Sequence, residues 1–178
     1  MSRKKFTHSS TGIHEHIHFG SGCHHPHTGT QCHDGGAAAL VGTRLGSSGT
    51  MVVTQDRIDT FAEATDDRQW IHVDHDRART GPFGTTIAHG YLTLSLAVPL
   101  LWEIFEVSDC DQVVNYGLNK VRFPAPVPVD SMLSAVADLV AVEPCTGGYQ
   151  ATIALTFDVE GGSRPVCIAE MLLRFLAG

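Results

Sequence analysis

The sequence predicts an α+β protein in which an antiparallel β-sheet wraps around one long apolar helix. Gly90 to Trp102, inside the stretch from Phe83 to Phe105, carries no charge and places apolar side chains on every side of a helical projection, the pattern of a buried helix. This uncharged part is thirteen residues long, short of the roughly 20 residues that span a membrane, so we expect a core helix. The second half of the chain alternates apolar and polar residues in successive segments, which predicts strands.

The helices before and within this stretch have recognisable starts and breaks. Thr54 is expected to cap a helix over residues 55 to 64, and a short helical turn is expected from Asp74 to Arg79. Pro99 lacks the N–H that would bond to the carbonyl of Ser95, so the central helix should kink or split there.

Four strand candidates follow the central helix: residues 114–122, 132–142, 149–159 and 165–176. They are joined by short segments rich in glycine or proline, which favours an antiparallel meander. A curved sheet around an apolar helix is the hot-dog arrangement, and it explains why the helix has no polar face.

Composition limits the classes of partner. The 178 residues fit one domain with an appendage, and the net charge of -7 offers no basic surface for nucleic acid or an anionic membrane. The five cysteines are odd in number and widely spaced, which is typical of a reducing, cytoplasmic protein. No apolar segment follows Arg3-Lys4-Lys5, so a secretory signal is not expected.

Residues 1 to 38 differ from the rest of the chain. They hold eight of the eleven histidines with Cys23 and Cys32, and few large apolar residues, so we expect a disordered extension ahead of a single domain over 39–178. One hypothesis is that this extension binds zinc, nickel or copper through imidazole and thiolate. The other is a low-complexity tail without function, which the lack of a repeated C-x2-C or H-x3-H pair favours.

Asp67 and His72 are the candidate proton-moving pair. A carboxylate and an imidazole suit this task near neutral pH. Taken alone, the pair has plainer explanations, because His72 can serve as a capping or core histidine and Asp67 as a solvated acid beside Asp66.

Two motifs make the pattern specific. Residues 65–72, TDDRQWIH, resemble the T-G-D-x-N-P-I-H motif of MaoC-like dehydratases, the (R)-specific enoyl-CoA hydratases of the hot-dog superfamily, and residues 87–92, IAHGYL, resemble their I-A-H-G-M segment. GPFG and NYGLNKVRFPAPV resemble the subgroup related to nodulation protein N and to the actinobacterial 3-hydroxyacyl-thioester dehydratases. The resemblance runs from Leu40 to Phe175.

The resemblance implies a role for each matching residue. Asp67 and His72 match the catalytic aspartate and histidine, and Gly90 matches the glycine whose N–H meets the thioester carbonyl. Asp66, Gln69 and Trp70 depart from the motif. Asp66 replaces a glycine, so it would be strained if that position needs a positive φ, and it would raise the pKa of Asp67 if both carboxylates point inward.

The implied activity is reversible addition of water to a trans-2-enoyl thioester of coenzyme A or an acyl carrier protein, without metal or redox cofactor, in a homodimer. His89 would orient the turn beside the oxyanion and substrate-binding site. Further candidates to contact the acyl chain, each equally explicable as core, are Phe83, Ile87, Trp70 and Tyr116. Three alternatives stay open: a hot-dog thioesterase, a non-catalytic acyl-thioester binding module in which Asp66 marks decay of the site, and a metal-handling protein on a hot-dog scaffold.

Overall fold

The computed structural model describes residues 17–19, 36–107 and 110–177 of the chain. The helices are α1 Gln55–Thr65, α2 Trp70–Val73, α3 His75–Arg79, α4 Gly90–Ser95 and α5 Ala97–Ile104, preceded by a 3-10 helix at Ala37–Leu40. The strands are β1 Ile17–Phe19, β2 Arg44–Ser47, β3 Met51–Val52, β4 Phe105–Val107, β5 Gln112–Arg122, β6 Met132–Cys145, β7 Gly148–Val159 and β8 Cys167–Leu176.

The main sheet has six antiparallel strands in the order β2-β6-β7-β8-β5, with β3 also paired to β6. β6, β7 and β8 form the expected meander, but the expectation that β5 would join it beside β6 is wrong, because β5 pairs with β8. The connection from β5 to β6 contains three prolines, which rules out a tight hairpin. It instead crosses beside the start of the central helix, where Ala88 N–H donates to Val127 O at 2.8 Å.

The predicted break in the central helix is confirmed. The helix divides at Leu96 into α4 and α5, next to the Ser95 carbonyl that Pro99 leaves without its helical donor. The expectation that every side of this helix is buried is wrong for Tyr91 and Trp102, which are 72% and 47% exposed. In a single chain the curved sheet covers only one side of the helix pair.

The core lies between that covered side and the inner face of the sheet. Leu100 of α5 and Leu133 of β6 are both fully buried. The alternation predicted for β7 is confirmed, since Ile153, Leu155 and Phe157 all point into this core. The predicted helix after Thr54 is also confirmed, and Thr54 Oγ1 accepts from Arg57 N–H at 3.3 Å as its cap.

Most of the predicted histidine-rich extension, residues 1–16 and 20–35, lies outside the described residues. Between these ranges, β1 pairs in parallel with β4, with Ile17 opposite Phe105. Within the described part of the chain, no helix combines the length and apolar character needed to cross a bilayer.

Candidate active site

His72 lies on α2, a one-turn helix that the sequence did not predict. Three hydrogen bonds hold the turn: Ile87 N–H donates to Ile71 O at 3.0 Å, Gln55 Nε2–H donates to His72 O at 2.8 Å, and His72 Nδ1–H donates to Ile87 O at 2.7 Å. Ile87 therefore binds α2 through both of its main-chain groups. The imidazole is 6% exposed.

The bond to Ile87 fixes the tautomer of His72. A carbonyl oxygen only accepts, so Nδ1 carries the proton and Nε2 keeps a lone pair when the ring is neutral. Burial lowers the pKa of His72 below its ordinary value of 6.5, and this effect exceeds the opposing one of the Ile87 hydrogen bond. At neutral pH the side chain is thus a proton acceptor.

Asp67 lies in the loop between α1 and α2, with its carboxylate exposed. One oxygen or nitrogen atom from each of Asp67, His72 and His89 lies within 4.8 Å of the other two. The structure therefore brings the two predicted proton-moving residues together and places His89 beside them. A water molecule would have an acceptor on each side.

Asp66 does adopt the backbone conformation that favours glycine. Its φ is 58° and its ψ is 14°, and it ends α1 as its C-cap. Its side chain is 84% exposed and forms an ion pair with Arg68, with Oδ1 and Nη1 2.7 Å apart. The carboxylate of Asp66 therefore points into solvent, away from the site that Asp67 faces.

His89 and Gly90 begin the central helix. His89 is 2% exposed, and its Nε2–H donates to the main-chain oxygen of Asp67 at 2.8 Å. Its ring stacks on His72 with the centroids 3.7 Å apart and 24° between the planes. Gly90 is the first residue of α4, and a Cβ there would meet two ring carbons of Phe123 at 3.0 Å. An alanine there would require this ring, which is 42% exposed, to shift by a few tenths of an ångström.

The stacked imidazoles argue against a metal ion at Asp67, His72 and His89. A metal lies in the plane of each imidazole that binds it, about 2.0–2.1 Å from the nitrogen. The in-plane lone pairs of two nearly parallel rings 3.7 Å apart do not converge on one point. The three residues have the right donor atoms but not the geometry of a tetrahedral site.

The residues expected along the acyl chain are dispersed. Phe83 is 43% exposed, whereas Ile87 is 7% exposed and its carbonyl accepts a hydrogen bond from His72. Trp70 packs against Gly81 and lies under Arg77, whose Cζ is 4.3 Å from the ring centroid. Tyr116 lies on β5, with Arg174 Cζ 3.3 Å from its ring centroid. The structure places Ile87 against His72 but gives Trp70 and Tyr116 different neighbours.

An apolar cavity of about 370 Å³, which includes open space at its mouth, lies between α5 and the strands β5 and β8. It is lined by Val98, Leu101, Trp102, Phe105, Val113, Asn115 and Leu173. None of the four expected acyl-chain residues lines it.

Sequence reasoning missed two residues that support His72 from behind. Gln55, at the start of α1, accepts from Thr86 Oγ1 at 2.6 Å while its amide donates to His72 O. Thr86 is 1% exposed. No motif marks either residue, because a glutamine at a helix start and a threonine in a loop are both common.

The comparisons with known proteins agree on fold and family. A family model described as MaoC like domain matches residues 37–156. The 3-hydroxyacyl-thioester dehydratase Z of Mycobacterium tuberculosis (strain ATCC 25618 / H37Rv) is 50% identical over 141 residues, which cover 79% of this chain and 93% of that protein. Nodulation protein N of Rhizobium leguminosarum bv. viciae is 36% identical over 138 residues, which cover 74% of this chain and 84% of that protein.

A solved structure of R-hydratase PhaJ1 from Pseudomonas aeruginosa superposes with a TM-score of 0.63 at 20% identity, covering 78% of this chain and 83% of that one. The antiparallel sheet around a central helix is thus the hot-dog fold, as predicted. Within that fold, the chain belongs to the MaoC-like domain family.

Proposed function

We propose that this protein is a hydro-lyase that adds water reversibly to a trans-2-enoyl thioester and forms the (R)-3-hydroxyacyl thioester. The observation that carries the proposal is the meeting of Asp67 and His72, with the Nε2 lone pair of His72 left free by the bond from Nδ1 to Ile87. The relative that is 50% identical to this chain is named 3-hydroxyacyl-thioester dehydratase Z, and this name supports the same reaction.

Asp67 and His72 would hold the reacting water between them. One of the two accepts a proton as the water oxygen bonds to C3, and a proton is delivered to C2. The hydroxyl and the hydrogen added to the double bond together equal one water, so the pair ends in its starting protonation state. No electrons pass between substrate and protein, and the balance therefore needs no redox cofactor.

Charge builds on the thioester oxygen as C2 becomes an enolate. The N–H of Gly90 lies in the first turn of α4 and has no helical acceptor of its own. We propose that it donates to the thioester oxygen. A single donor of this kind is worth roughly 3 kcal/mol of transition-state stabilisation in enzymes where it has been removed.

Two carriers fit an enoyl thioester, coenzyme A and an acyl carrier protein. We propose that the acyl chain contacts Ile87, whose carbonyl accepts from His72, and the exposed ring of Phe83. His89 is buried, and its ring stacks on that of His72. The family match begins at residue 37, which supports a domain boundary near residue 38. The odd number and wide spacing of the cysteines support a cytoplasmic location.

We propose that two copies of the chain form a homodimer through β5. This strand is eleven residues long and ends the sheet, and no described strand pairs with its outer edge. Val114, Tyr116 and Leu118 on it are 39%, 54% and 44% exposed. A long apolar edge strand left open is an aggregation risk, and antiparallel pairing with a second copy closes it symmetrically.

The hypothesis of a decayed, non-catalytic site depended on Asp66. The ion pair with Arg68 holds the carboxylate of Asp66 in solvent, which argues against the hypothesis of a decayed site. A thioesterase would use the same substrates but release a free thiol, so the two activities separate in one assay.

The test follows the enoyl-thioester absorbance of crotonyl-CoA with the wild type, Asp67→Asn and His72→Gln. Loss of the band with formation of (R)-3-hydroxybutyryl-CoA is expected, reduced by about 100-fold or more in both variants. Asp66→Asn and His75→Gln are matched controls, because both side chains are exposed neighbours of the same chemical types. Free thiol without hydroxyacyl product would indicate a thioesterase, and equal inertness of all proteins would refute the proposal.

A further inference from the structure

We propose that His89 is the positioning residue of the site, which holds Asp67 through its main chain and His72 through its ring. This inference rests on the proposed hydratase function. It assigns His89 no contact with substrate, since its side chain is buried beneath the two residues that face the water.

The first contact of His89 fixes the main chain at Asp67. Its Nε2–H donates to the Asp67 carbonyl at 2.8 Å, which ties the loop between α1 and α2 to the start of α4. This loop follows the left-handed Asp66. The side chain of Asp67 is exposed, so the bond to its carbonyl restrains the residue whose carboxylate would react.

The second contact fixes the ring of His72. The hydrogen bond from Nδ1 to Ile87 O holds the imidazole at one in-plane point but leaves it free to tilt about that bond. The face of His89, stacked at 3.7 Å, blocks the tilt on one side. Phe61 lies against His89 in turn, with the ring centroids 5.0 Å apart. The stack therefore directs Nε2 of His72 toward the space beside Asp67.

His89 is not placed to carry protons. The proton on Nε2 is committed to the Asp67 carbonyl, and Nδ1 is buried without a hydrogen-bond partner among the described residues. His89 therefore acts on its neighbours through the donor on Nε2 and through its ring face.

Three substitutions separate the two contacts. His89→Gln keeps a side-chain N–H for the Asp67 carbonyl and loses the aromatic face. His89→Phe keeps the face and loses the donor, and His89→Leu loses both. His75→Gln serves as the control, because His75 is an exposed histidine at the start of α3.

The experiment measures kcat and KM for hydration of crotonyl-CoA with each variant, beside unfolding in urea. His89→Leu is expected to lower kcat by about 100-fold, with KM within about threefold of the wild type, because misplacement of reacting groups by about 1 Å costs this much. The kcat values of His89→Gln and His89→Phe are each expected to be about tenfold higher than that of His89→Leu. This recovery is expected whichever of the two variants is the more stable in urea. The recovery depends on the contact kept and not on the stability of the variant.

The outcomes distinguish this inference from the function on which it rests. A wild type that converts nothing overturns both. An active wild type with His89→Leu at equal kcat overturns the role of His89 alone, and so does a loss of kcat that neither conservative variant relieves. If His89→Leu does not fold, His89→Phe decides, since wild-type kcat without the Asp67 bond would contradict the inference.

Discussion

Replacing Gln55 by leucine should destabilise the protein through the loss of one bracing amide. The Gln55 Oε1 accepts from Thr86 Oγ1 at 2.6 Å, and Nε2 donates to His72 O at 2.8 Å and to Asp59 Oδ1 at 2.7 Å. These contacts join the start of α1 to α2 and to the segment that leads into the central helix. The substitution removes all three at similar side-chain volume.

The cost can be built up from the partners. Thr86 is 1% exposed, so its hydroxyl would lose its acceptor inside the protein, at about 1–3 kcal/mol. The His72 carbonyl would lose one donor, at about 1 kcal/mol. The bond to the exposed Asp59 adds little. Gln55→Leu should therefore lower the free energy of unfolding by about 2–4 kcal/mol and reduce kcat, because α2 carries His72.

A double-mutant cycle in urea, at one fixed protein concentration, tests this reasoning. Thr86→Val removes the hydroxyl, so Gln55→Leu should cost about 1–2 kcal/mol less in that background. Gln69→Leu is the control, as an exposed glutamine that makes no side-chain capping bond, and should change stability by less than about 0.5 kcal/mol. A Gln55→Leu variant as stable as the control, with no coupling to Thr86, would refute the bracing role.

Three further predictions concern the site. Because burial lowers the pKa of His72, the acidic limb of the pH profile of kcat/KM should lie below pH 6.5. Stability in urea should also decrease below pH 6.5, because His72 is protonated there in the unfolded chain but not yet in the folded protein. An acidic limb above pH 7 would contradict this. Gly90→Ala should cost about 1–3 kcal/mol and lower kcat/KM, since its Cβ would lie 3.0 Å from the Phe123 ring, and unchanged kinetics would count against the close fit. Asp66→Gly should leave kcat unchanged and alter stability by at most about 1 kcal/mol, because relief of the left-handed backbone offsets the lost exposed pair with Arg68; a fivefold change in kcat would show that Asp66 acts on Asp67 after all.

The sequence predicted the features that depend on periodicity and on capping. The alternation in β7, the cap at Thr54 and the break caused by Pro99 each follow from a local rule, and the structure confirms all three. Asp67 and His72 were identifiable because their motif has fixed spacing. Their proximity in the structure follows from the short loop and single helical turn between them.

Strand order was not predictable in the same way. The alternation of β5 shows that it is a strand, but alternation contains no information about which neighbour it pairs with. The strand also has bulges between Asn115 and Gly117 and between Leu118 and Lys120, and its half-buried residues recur at every fourth position, 113, 117 and 121, rather than at every second. The proline-rich connection after Arg122 was the available signal, because it excludes a hairpin to β6.

The sequence motif suggests which side chains react, but it does not show which contacts hold them in place. His72 is fixed by the carbonyl of Ile87, Asp67 by a bond to its own carbonyl, and α2 by an amide on the carbonyl of His72. Every residue has a carbonyl, so no motif can mark these acceptors. The side chains that reach them, His89 and Gln55, are therefore the positions where substitution should separate positioning from chemistry.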